Sequence, residues 1–86
     1  MFVGKIIKAI DRSRFFVGVR NKIQIKDTID ILTASGPNQA NRIAKIMTQN
    51  NEETTVAQPN ASVFIETEFP SSCGPGDIIQ KTNTGN

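Results

Sequence analysis

Three groups of residues carry side chains whose types and spacing suit chemistry. The first is Cys73, the single cysteine, in Cys-Gly-Pro-Gly-Asp-Ile-Ile-Gln-Lys at residues 73–81. A thiol becomes a nucleophile when a neighbouring base or a helix N-terminus lowers its pKa. The chain has no histidine, and Pro70, Gly74, Pro75 and Gly76 describe a loop steering into a strand. Cys73 therefore reads as a structural residue of a turn. The second group is Glu66 and Glu68, alternate residues of a strand with carboxylates about 7 Å apart by the strand rise. That spacing suits paired acid chemistry, and equally the ordinary solvent face of a strand or a charged guard on a sheet edge. Glu52 and Glu53 sit in a polar turn. The third group is Arg14, Phe16, Gly18 and Arg20, alternate positions of Arg-Phe-Phe-Val-Gly-Val-Arg at residues 14–20. Phe15 and Phe16 are adjacent, so one faces the core and the other faces away. An outward Phe16 stands between two arginines, a surface that can stack a base and neutralise phosphate. The same strip can dock on another domain or pack within its own. Lys22 extends the basic stretch, and Lys5, Lys8 and Arg12 fall beside it on the partner strand.

Composition removes several classes of function. Without histidine there is no ordinary general base near neutral pH and none of the commonest metal ligand. A lone cysteine forms neither an intrachain disulfide nor a thiolate cage, so no metal site is expected, and cytoplasm is the default compartment. No phosphate-cradling glycine loop is present, and no cofactor is expected. Gly4 and Gly18 each lie inside a strand pattern, as at a close strand approach or a bulge. Lysines interrupt the first ten residues, unlike the apolar core of a signal peptide, and no run reaches the ~18–20 apolar residues of a membrane span. The net charge of +2 is unevenly spread: residues 1–45 carry nine Lys/Arg against three Asp/Glu, and residues 46–86 carry Lys81 against five acids. Such polarity marks either an anion-facing side or, once the halves interleave in space, a mixed solvated surface.

The elements that must position these residues are short. At 86 residues the chain is one domain with a thin core. Isoleucine dominates its apolar set, and β-branched side chains pack well on pleated surfaces. Residues 2–10 and 14–20 read as a hairpin joined by Asp-Arg-Ser, with Phe15, Val17 and Val19 inward. Residues 28–33 are a strand with Ile29 and Ile31 inward, broken by the Gly-Pro loop at 34–38. Residues 40–48 are ambiguous: Ala40, Ile43, Ala44 and Met47 form a helical stripe, whereas Asn41, Ile43, Lys45 and Met47 alternate as in a strand. A short strand at 54–57, a clear one at 62–67 with Val63 and Ile65 on one face, and a closing strand at 77–81 complete the pattern. Residues 1–81 are expected to form the single domain and residues 82–86 a flexible tail. About six strands spaced by turns suggest a small closed barrel or sandwich. One echo is visible: Lys26-Asp27 and Gly76-Asp77 each place an aspartate at the mouth of an apolar strand, where it accepts backbone N–H bonds.

Taken in order, Phe-Val-Gly-Lys-Ile, Phe-Val-Gly-Val-Arg-Asn-Lys-Ile-Gln-Ile-Lys-Asp-Thr-Ile-Asp-Ile-Leu-Thr, Val-Ala-Gln-Pro-Asn-Ala-Ser-Val-Phe-Ile-Glu-Thr and Pro-Gly-Asp-Ile-Ile-Gln-Lys resemble the C-terminal domain of the collagenase-like peptidase family U32. The resemblance covers residues 2–81 and implies an all-β fold: a small closed six-stranded antiparallel β-barrel resembling the second domain of translation elongation factors. It also implies a strand at 40–48. The catalytic machinery of that family belongs to a larger N-terminal part, so the resemblance implies a non-catalytic accessory domain that positions substrate or packs on that catalytic domain. Arg14, Phe16, Arg20, Lys22, Lys5 and Lys8 are the expected contact residues, the partners being the catalytic domain, a protein substrate, or the RNA that hydroxylating relatives modify. Many relatives have Gly-Asp where this chain has Lys26-Asp27, which leaves the tight glycine conformation of that turn open. Met1 stands at the domain boundary, as in a piece excised from a longer protein.

Overall fold

A computed structural model describes residues 1–34 and 36–82. Among these residues nine strands form: β1 (Phe2–Ala9), β2 (Arg14–Val19), β3 (Ile23–Gln24), β4 (Thr28–Leu32), β5 (Gln39–Met47), β6 (Glu53–Thr54), β7 (Val56–Ala57), β8 (Ser62–Thr67) and β9 (Ile78–Lys81). The main sheet runs β4-β9-β1-β2-β8-β5, and β4 pairs with β5 to close it. Every pairing is antiparallel, giving a closed six-stranded antiparallel β-barrel. β6 extends the end of β5, while β3 and β7 pair separately. No helix long and apolar enough to cross a membrane occurs among the described residues.

The alternation read from the chain follows burial. Phe15, Val17 and Val19 point inward with Ile29, Ile31, Val63 and Ile65. Among the described residues Phe15 is the largest fully buried side chain, in a core to which every barrel strand adds isoleucines or valines. A barrel of so few strands is filled by its own inward side chains.

Residues 40–48 are strand, and the helical stripe has a physical source. A bulge between Ile43 and Lys45 shifts the register against β8. Ile43 and Ile46 consequently both face the core, three residues apart, which imitates a helical period. β1 carries two further irregularities, between Phe2 and Gly4 against β9 and between Ile6 and Lys8 against β2. Such bulges bend and twist a sheet, and so help this one to close.

Both aspartate turns form. The Asp27 carboxylate accepts the Gln24 N–H at 2.8 Å, and the Asp77 carboxylate accepts the Gly74 N–H at 2.9 Å. Gly76 adopts φ 91°, and Lys26 adopts φ 73° in the equivalent place, so the first turn keeps the left-handed conformation without the glycine. Lys81 Nζ lies 3.3 Å from the Asp27 carboxylate, tying the last strand to this turn. Beyond it, Thr82 bonds the Thr28 carbonyl through both N–H and hydroxyl, each at 3.0 Å. The rest of the expected tail, 83–86, and Ser35 of the Gly-Pro loop lie outside the described residues.

Candidate docking face

Strand register sets three rows of side chains on the outer face of β1, β2, β8 and β5. Lys5, Gly18 and Ser62 stand opposite one another in the first. Lys8, Phe16, Phe64 and Met47 form the second. Arg14, Glu66 and Lys45 form the third. An aromatic row is thus bounded by the Lys5 row on one side and, on the other, by a row in which Glu66 stands between two cations.

The middle row is packed against itself. Phe16 points outward and is half-buried, with its ring centroid 4.7 Å from that of Phe64 and the planes inclined at 42°. Cross-strand aromatic pairs of this kind contribute roughly 0.2–1 kcal/mol. Ile10, Arg14, Met47, Asn51 and Phe64 line a hollow of about 150 Å³ beside it. Arg14 does not flank Phe16 as a free cation: its Nε donates to the Asp11 carboxylate at 3.1 Å. The Ser13 N–H bond chiefly holds Asp11 below the ordinary aspartate value against some desolvation, and Arg14 adds to the effect. The flat platform between two open arginines that an RNA-stacking surface requires is therefore not what the strip presents.

The first row opens into a groove of about 340 Å³, lined by Lys5, Ile7, Gly18, Val19, Arg20, Asn60, Ala61 and Ser62. Its origin is local. Ile7 follows Lys5 on the outer face, 47% exposed, and the β1 bulge leaves it as the extra residue beside Lys8, while Gly18 puts no side chain between Lys5 and Ser62. A Cβ built at Gly18 would meet Ile7 Cδ1 at 3.5 Å, an ordinary contact. Gly4 differs: a Cβ there would sit 2.7 Å from the Gly18 carbonyl oxygen and 3.0 Å from Val17 Cγ1. Close strand approach thus accounts for Gly4, and an open outer surface beside a bulge for Gly18.

The structure gathers five of the six expected contact residues on this face. Lys5, Lys8, Arg14 and Phe16 lie in the rows, and Arg20 lines the groove; Lys22 stands exposed in the turn after β2, outside the rows. Glu66 and Glu68 do not converge. Glu66 stands between Arg14 and Lys45, whereas Glu68 lies 3.9 Å from Arg42. Cys73 packs half-buried against the core, and desolvation, aided by the charge of Asp77, pushes its thiol up to about 11. Such a thiol is protonated and unreactive at neutral pH.

Three contributors were not evident from the chain. Phe64 enters through its register opposite Phe16, and Ile7 through the bulge. The third is Phe69, 58% exposed at the far end of β8. Buried Asn41 holds its backbone at both ends, donating to the Phe69 carbonyl at 2.8 Å and accepting its N–H at 3.1 Å. Asn41 also donates to Ser71 Oγ at 2.9 Å, and Thr67 Oγ1 to the Phe69 carbonyl at 2.8 Å. A groove of about 360 Å³ adjoins this loop, but its charges, Arg42 and Glu68, cancel.

Comparisons with known proteins agree with this architecture. The family model described as peptidase family U32 C-terminal domain matches residues 1–80. The crystal structure of the C-terminal domain of a Geobacillus thermoleovorans protein assigned to the U32 peptidases is similar, with a TM-score of 0.82 at 21% identity. That match covers 95% of this chain and 92% of the other. The selenomethionine variant of the same domain superposes with a TM-score of 0.80 at 20% identity, covering 94% and 99% of the two chains. No curated protein matches the chain. With the barrel, its aspartate turns and a family match over nearly its whole length in agreement, the chain belongs to the family of U32 peptidase C-terminal domains.

Proposed function

We propose that this domain is a non-catalytic accessory module of a cytoplasmic U32-type peptidase. It holds a protein surface, either the catalytic region of the peptidase or its substrate, on the outer face of β1, β2, β8 and β5. The observation that carries this reading is the face itself: a row of Phe16, Phe64 and Met47 between charged rows, with Ile7 and Ile10 exposed beside it. Apolar centres with polar rims are the usual anatomy of protein interfaces. The chemistry that would argue for catalysis is weak. The one thiol is raised, and Glu66 and Glu68 face separate cations.

The test mixes this domain with a separately expressed U32 catalytic region and follows association by calorimetry. Micromolar binding that is lost with Phe64→Glu, a substitution on an outward strand position, is the expected result. Absence of binding together with gelatin hydrolysis by the domain alone overturns the reading.

A further inference from the structure

Resting on that reading, we propose that the groove over Gly18 takes an acidic segment of protein chain, with one aliphatic side chain seated on Ile7 and carboxylates on Lys5 and Arg20. The argument begins with the shape. Gly18 is the central position of its row, between Lys5 on β1 and Ser62 on β8, so the missing side chain leaves a slot. Both walls of the slot are fixed. On one side stands Ile7, the extra residue of the bulge. On the other, the turn between β7 and β8 is bound to the end of β2: the Asn60 N–H donates to the Val19 carbonyl, and the Val19 N–H donates to the Ala61 carbonyl, each at 2.8 Å. Asn60 holds φ 73° there, a conformation that asparagine tolerates. A preformed slot spares the ordering cost that a mobile one incurs on binding.

Charge then selects the occupant. Lys5 and Arg20 are diagonal neighbours across the β1–β2 pair, about 7–8 Å apart by sheet geometry. Both are exposed, and no acid lines the groove among the described residues. Lys8 adds a third cation in the next row. The hydroxyl of Ser62 and the amide of Asn60 offer hydrogen bonds on the opposite wall. An aliphatic floor between cations matches an acidic peptide. It does not match a single-stranded nucleic acid held by base stacking, which needs open aromatic faces, because the nearest rings are turned against each other.

The experiment measures fluorescence anisotropy with a short labelled peptide of alternating glutamate and leucine, beside the glutamine-for-glutamate peptide and a single-stranded oligouridine. Gly18→Val puts a good strand former at a position whose Cβ meets Ile7 at ordinary distance, and its two methyls fill the slot. Filling it should weaken the acidic peptide about tenfold, the scale of a misfitted apolar group. Lys5→Gln and Arg20→Gln should each weaken it roughly two- to fivefold and flatten its salt dependence. Equal affinity of a folded Gly18→Val protein for the peptide overturns the proposal, as does tighter binding of oligouridine. Two outcomes separate this inference from the reading beneath it. A catalytic region that binds the wild type and Gly18→Val alike removes the groove and leaves the accessory role. A peptide that binds through Gly18, with no binding of the catalytic region or gelatin, removes the accessory role and leaves the groove.

Discussion

Replacing each of two glycines by alanine should move stability in opposite directions. Gly4 faces the interior and Gly18 the outside, although they lie beside each other in the β1–β2 pair, where Gly4 opposes Val19 and Lys5 opposes Gly18. In Gly4→Ala the new methyl would meet the Gly18 carbonyl oxygen at 2.7 Å and Val17 Cγ1 at 3.0 Å. Relief requires β1 and β2 to part by roughly half an ångström, and β9 and β8 hold both from their other edges. Overpacking of this kind costs about 1–3 kcal/mol. Restricting the unfolded chain returns about 0.4–1 kcal/mol, leaving a net loss of about 1–2 kcal/mol. Gly18→Ala has the same entropic gain and only an ordinary contact with Ile7 at 3.5 Å, so it should stabilise by up to about 1 kcal/mol. Each kcal/mol moves Tm by roughly 4–8 °C in a domain of this size. Thermal melts and urea titrations followed by circular dichroism should therefore separate the variants by roughly 5–20 °C, with the wild type between them. A Gly4→Ala protein as stable as the wild type, or less destabilised than Gly18→Ala, refutes the assignment of these glycines.

Two other outcomes follow from single residues. Lys26→Gly should stabilise by about 0.5–1 kcal/mol, because Lys26 holds φ 73° and a side chain in the left-handed region costs about 1–2 kcal/mol before the entropy of the glycine is charged; urea unfolding measures it. Cys73 alkylation should rise with pH around a midpoint near 11 in the folded protein, against the ordinary value of 9.0 in urea. The folded pKa is raised, so the contribution of this thiol to stability is complete below pH 9 and is lost as pH climbs towards 11.

The candidate face shows where local pattern stops being informative. Period-two alternation in residues 14–19 and 62–67 is strong enough to orient both strands, because a wrong phase would bury Arg14 or expose Phe15. Ile23–Gln24 carries no such signal: two residues show no period, and β3 exists only because β7 arrives opposite it. Ile43 and Ile46 mislead because a bulge, defined by the partner strand, separates them. The same holds for Ile7. Its place as the extra residue belongs to the register between β1 and β2, and nothing in Lys-Ile-Ile-Lys announces the bulge.

By itself the order of residues determined the class of the protein and the limits of its chemistry. Without histidine, and with one cysteine held in a loop, the chain is poor in catalytic groups. Isoleucine-rich alternation with aspartate turns specifies short strands that must close on one another to bury their inner faces. Tertiary structure alone decided what the outside offers. It set Phe64 against Phe16, drew Arg14 to Asp11, parted Glu66 from Glu68, and opened a groove where a bulged isoleucine meets a glycine. The reason is physical: burial is dictated by each residue's own polarity and period, whereas a surface site is a relation between strands, fixed by register.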